Sequence, residues 1–160
     1  MKNLLYVLAF ALLIVSCKTK TTVIKSSANQ PVVETKQLDY GSPKVKQVLV
    51  NDQMFLIEKY ATDTSYGYTE SNPIMVGKQG GGPLDERRFL NALTGPNGEP
   101  ISYFRLGSCC HFKTKNGLYG DTGLLDKYQL NYKGLKTPII LYINMYDSDT
   151  LQVPVGLKLK

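Results

Sequence analysis

The chain has 160 residues, with 19 basic side chains against 13 acidic ones, a formal net charge of +6 and a single histidine. Much of the basic excess is terminal, in Lys18, Lys20, Lys25, Lys158 and Lys160, and no basic patch with interleaved aromatics stands in the rest, which excludes a nucleic-acid partner. Three cysteines, two of them adjacent, exclude a framework of several disulfides.

Residues 1–16 read as a lipoprotein signal peptide. Lys2 supplies a short positive region, and Leu4 to Val15 is an apolar run too short to span a bilayer comfortably, which takes about 20 residues. The run ends in Ile14-Val15-Ser16-Cys17, which resembles a bacterial lipobox. The resemblance implies a diacylglyceryl thioether on Cys17, cleavage before it and acylation (a palmitate-type chain) of the new amine. Several acyl chains anchor firmly, because each buried methylene contributes ~0.8 kcal/mol and one chain alone is marginal. Cleavage would remove Lys2 and no acid, so the chain stays basic. Lys18, Lys20 and Lys25 would then lie where lipid head groups attract them.

Residues 17–44 follow as the lipidated cysteine and a flexible tether, rich in Lys, Thr, Ser and Gln and broken by Pro31 and Pro43. Residues 45–160 read as a single small α+β domain, a mostly antiparallel sheet with one short helix. Val48-Leu49-Val50 and Phe55-Leu56-Ile57 flank Asn51-Asp52 as a hairpin or two successive strands. A long loop with a short strand at Ile74-Met75-Val76 comes next. Pro83 to Leu93 is the best helix: proline at its start, Asp85 and Glu86 in its first turn and Gly95 just past its end. Phe89, Leu90 and Leu93 would face the core. The turn Gly95-Pro96-Asn97-Gly98-Glu99-Pro100 leads into a strand at Ile101–Phe112. Tyr128, Leu130 and Tyr132 alternate with polar residues as a half-buried strand. Pro138 to Tyr146, apolar on both faces for much of its length, reads as the central strand with the proline at its first residue, and Leu151-Gln152-Val153 would pair back on it.

Gly107-Ser108-Cys109-Cys110-His111-Phe112 holds the only histidine beside two cysteines. On a regular strand Cys109 and His111 share one face and Cys110 takes the other. A zinc site wants four ligands in spaced pairs, and no second cluster exists, so no metal ligand is assigned. A nucleophile and its base usually come from separate elements, so no catalytic residue is assigned either. Two states remain. The cysteines are thiols on opposite faces, one packed as a small hydrophobe, or they form a vicinal disulfide, which departs from ordinary geometry and suits a turn.

The glycines of Gly77 to Gly82 fail the phosphate-loop pattern, because Pro83-Leu84 stand where Lys-Ser/Thr would be. No cofactor is expected. Glu86, Arg87 and Arg88 could make a polar site with Asp63 or Glu70, but such residues commonly make pairs on solvated helix faces. The many tyrosines either line an exposed face that binds glycan or peptide or fill a small core with their hydroxyls at its rim.

From Tyr66 onward the chain resembles a family of small flavobacterial (Bacteroidota) lipoproteins. The matching runs are Tyr66–Gly77, Asp85–Ile101, Gly107–Phe112, Gly123–Tyr128 and Leu141–Asp147. Members often carry the name 2-dehydro-3-deoxyphosphooctonate aldolase. That enzyme is a (β/α)₈ barrel, which needs ~250 residues and a βα repeat. This domain has under half that length and no such repeat, so no catalytic residue is carried over. The resemblance implies a Gram-negative envelope. With no aspartate after Cys17 the outer membrane is expected, and with no acidic run in Lys18-Thr19-Lys20-Thr21 the periplasm-facing leaflet. The reading is of a non-enzymatic interaction or accessory module, held to the membrane through Cys17, with an envelope protein or glycan as partner. The alternative is a small envelope enzyme using Cys109 or Cys110 with His111 in thiol or hydrolytic chemistry.

Overall fold

A computed structural model describes residues 45–77, 80–118 and 120–160, which belong to one unit. The signal peptide, Cys17 and the tether lie outside the described residues. In chain order the elements are β1 (Leu49–Asn51), β2 (Met54–Phe55), β3 (Lys59–Tyr60), β4 (Ile74–Met75), α1 (Pro83–Leu90), β5 (Leu93–Thr94), β6 (Ser102–Lys113), β7 (Thr122–Asn131), β8 (Ile139–Asn144), β9 (Gln152–Val153) and β10 (Lys158–Leu159). The fold is α+β with one short helix and mostly antiparallel pairing.

The main sheet has the order β4-β8-β7-β6, antiparallel except where β4 runs parallel to β8. Alternation on β7 puts Tyr128 and Leu130 into the core, and Leu141 and Ile143 of β8 join them. α1 covers this inner face with Phe89 and Leu90. Ile140 and Tyr142, on the other face of β8, are only half-buried. β8 is therefore interior, as its composition suggests, but one of its faces is only partly covered.

Two expectations need correction. The helix stops at Leu90, not at Leu93: the cap at Asn91 anchors its amide in the last turn. Asn91 Nδ2 also donates to the Gln53 carbonyl at 2.9 Å, tying the helix end to the β1–β2 hairpin. Leu93 is still buried, but on β5, which pairs with the C-terminal β10. Leu151-Gln152-Val153 does not return to β8. Both edges of β8 are already taken, by β4 and β7, so β9 instead pairs in parallel with β3, matching Lys59 with Gln152 and Tyr60 with Val153.

The turn after β8 makes that route possible. Asn144 Oδ1 accepts from the amides of Tyr146 and Asp147, and the chain then crosses back over the end of β4. Gly77 is required there, because a Cβ on it would stand 2.4 Å from the Met145 carbonyl oxygen. The β1–β2 hairpin turns at Asp52-Gln53, with Phe55 inside and Val48, Leu49 and Val50 exposed. No helix among the described residues is long and apolar enough to cross a membrane.

Candidate functional site

Polar chemistry gathers where β6 pairs with β7. β7 brings Asp126 and Tyr128 to its inner face two residues apart, and β6 brings Arg105 and Ser108 opposite them. Arg105 binds the Asp126 carboxylate in fork geometry: Nε donates to Oδ2 at 2.6 Å and Nη2 to Oδ1 at 2.7 Å. Ser108 Oγ donates to the same Oδ1 at 2.7 Å and accepts from Arg105 Nη2 at 2.6 Å. The arginine side chain is 42% exposed and the aspartate side chain 1%, so a half-open cation neutralises a sealed anion.

α1 adds Glu86 from below. Its side chain is fully buried, and Oε2 accepts from the Tyr128 hydroxyl at 2.8 Å. Burial, then the negative charge of Asp126, push the Glu86 carboxyl up to about 8. Oε1 has no donor among the described residues. Protonation resolves this: a neutral Glu86 turns from acceptor to donor, with the nearby Asp126 carboxylate to accept that hydrogen bond. Burial and Glu86 likewise raise the Tyr128 phenol, which stays protonated. The cluster thus holds one ion pair and one neutral acid. A general acid has to reach its substrate, and Glu86 and Asp126 are 0% and 1% exposed.

One register step further, the same ladder carries the cysteines. Cys109 and Cys110 are joined, with sulfurs 2.11 Å apart. Cys109 pairs with Leu125 and His111 with Leu124, so Cys110 is the extra residue of a β-bulge. Its φ of 58° is the only positive value of a non-glycine residue among those described. Both cysteines are half-buried, and His111 points to solvent. The disulfide thus sits inside a long strand and not at a loop, because the bulge supplies the departure from the pleat that the ring needs. A second bulge at Leu106, followed by Gly107 at φ 134°, falls between Arg105 and Ser108, within the polar cluster.

The other sequence candidates are placed as follows. Lys78 and Gln79 lie outside the described residues. The helix start after the glycines is filled by its own acid: Asp85 Oδ2 accepts from the Gly81 amide at 2.9 Å, and Asp85 Oδ1 pairs with Arg88 Nη1 at 2.8 Å. A Cβ on Gly81 would strike that carboxylate at 2.5 Å. Glu86 is buried, so it is not on a solvated face with Arg87 and Arg88, and no salt bridge joins either arginine to Asp63 among the described residues. Asp63 instead accepts from Ser65 and Asn72 within its own loop. Two of the tyrosines serve the rim of the core, Tyr68 donating to the Val155 carbonyl at 2.6 Å and Tyr103 to Asn91 Oδ1 at 2.7 Å, while Tyr60 is exposed. No group of three or more His, Cys, Asp or Glu that could hold a metal occurs among the described residues.

Sequence reasoning missed Asp126 and Arg105. The signal was present: Asp126 lies two residues before Tyr128, so the alternation that buries the tyrosine buries the aspartate, and a buried carboxylate requires a cation. Comparison with protein-family models, with curated proteins and with solved structures returned no match to this chain.

Proposed function

We propose that the chain is an envelope lipoprotein, anchored in the outer membrane through lipid on Cys17, whose domain is a non-enzymatic interaction or accessory module. The observation that carries the module reading is the side of β6 away from β7, which pairs with no strand among the described residues. This strand of 12 residues is the last of the main sheet and displays Phe104 at 51% and Leu106 at 45% exposure. A long edge with apolar side chains is a template for an added strand, which natural proteins usually shorten or charge unless it has a partner. The bulges at Leu106 and Cys110 break the edge into segments, which suits a short extended peptide of an envelope protein better than continuous self-pairing. The sealing of Glu86 and Asp126 supports the same reading, because it gives the carboxylates a structural task.

A photocrosslinking residue placed at Phe104, with Lys133 as a control outside the main sheet, tests the module in cells. A discrete envelope-protein adduct at Phe104 and none at Lys133 is expected; equal labelling at both sites contradicts the reading. Cys17→Ser tests the anchor separately. The variant should leave the membrane fraction, and a wild-type protein that fractionates as soluble contradicts the anchor.

A further inference from the structure

We propose that Cys109–Cys110 is a two-electron thiol–disulfide exchange site on the sheet edge, which takes its electrons from a dithiol. Three observations converge on it. Both cysteines are half-buried, so neither is sealed in the core, and they sit on the strand that ends the main sheet among the described residues. Cys110 is held in the left-handed region, which a residue with a Cβ disfavours. The registers on either side of the ring are anchored without it.

The anchors explain why exchange can be local. Before the ring, Ser108 faces Asp126 and is hydrogen-bonded to it. After the ring, Phe112 faces Gly123, where a Cβ would stand 2.6 Å from the phenyl ring. That phenyl also packs edge-on against Tyr146, with centroids 5.9 Å apart. Between these anchors β6 spends three residues, Cys109 to His111, where β7 spends two, Leu124 and Leu125. The surplus residue is therefore imposed from both sides. Breaking the S–S bond lets Cys110 leave the left-handed region while the ladder keeps its register. The folded chain also holds the two sulfurs together, so oxidation can close the ring again without a search.

The chemistry balances. A partner thiolate attacks one sulfur of the pair, a mixed disulfide forms, and the other cysteine leaves as a thiolate that takes a proton from solvent. The partner's second thiol loses its proton and attacks the mixed disulfide, releasing the first cysteine. The protein ends with two thiols and the partner with one disulfide. Two electrons have passed from partner to protein.

The test uses the full chain purified without reductant and dithiothreitol as the probe. Samples equilibrated at graded ratios of dithiol to its disulfide are acid-quenched, alkylated and read by mass on the peptide carrying Cys109 and Cys110, so Cys17 does not enter the count. Both thiols should appear together in one reversible transition of the folded protein. Amide exchange should rise about tenfold or more at Cys110 and His111 and change little at Ser108, Phe112 and Asp126, as a local opening does. The single variants Cys109→Ser and Cys110→Ser should each form a mixed disulfide with glutathione disulfide while folded. Free thiols in the untreated protein, reduction only in denaturant, or loss of protection along the whole β6–β7 ladder would overturn the proposal, as would failure of both single variants to react. None of these results depends on whether the edge docks a partner.

Discussion

Two neighbouring steps of one ladder behave as opposites. At Ser108 and Asp126 the strands enclose charge and give it partners from β6, and α1 closes the space beneath. At Cys109 and Cys110, one residue on, the pairing breaks into a bulge and a reactive bond lies half-open at the edge. The groups most like acid–base machinery are sealed, and the group with redox chemistry is accessible. The difference shows that residue type alone is a poor guide to a site: the inner face of β7 seals the acids, while a bulge in the last strand leaves the cysteines half-open.

The largest expected effect comes from breaking the sealed half. Arg105→Met leaves Asp126 buried without its cation and should cost about 2–4 kcal/mol in a urea melt at pH 7, at the lower end because Arg105 is half-exposed. A loss under about 0.5 kcal/mol, the size of an ordinary surface change, would mean that the pair is not sealed.

Glu86 sharpens the same half through pH. Its carboxyl lies at about 8 in the fold against an ordinary 4.5, so the folded state holds a proton that the unfolded chain releases. Its stabilising contribution is complete below 4.5, falls as pH rises, and is lost once pH passes about 8. Glu86→Gln keeps the shape and cannot ionise. Relative to wild type it should gain on the order of 3 kcal/mol between pH 5 and pH 9. Denaturant melts at the two pH values check this, and parallel curves for variant and wild type would contradict it.

The anchor at Gly123 links the halves. Gly123→Ala places a Cβ against Phe112 and should cost about 1–3 kcal/mol, as overpacking does. The thermal midpoint would fall accordingly, and an unchanged midpoint would show that the register is not pinned there. The exposed half should respond least. Replacing both Cys109 and Cys110 with serine should cost about 1 kcal/mol, because adjacent cysteines close almost no loop in the unfolded chain. A loss of several kcal/mol in a urea melt would make the disulfide a structural staple.

The sequence exposed the parts whose signals are local and periodic. Pro83 and the acids after it mark α1, and the alternation around Tyr128 and Leu130 marks β7. It did not expose partners brought together across distance. β9 joins β3 because β8 has no free edge, a fact of sheet order that Leu151-Gln152-Val153 cannot carry. Glu86 looked like a first-turn surface acid until β7 was laid over it. The cysteine pair was legible as two alternatives, and the choice depends on a bulge set by the registers at Ser108 and Phe112.

Carbon-13 NMR of the Glu86 carboxyl, followed through a pH titration of the full chain before and after dithiothreitol treatment, tests the contrast most directly. A midpoint near 8 in both redox states is the predicted result, because the sealed half does not sense the opening of its neighbour. Titration near the ordinary 4.5, or a midpoint that moves when the cysteines are reduced, would contradict it.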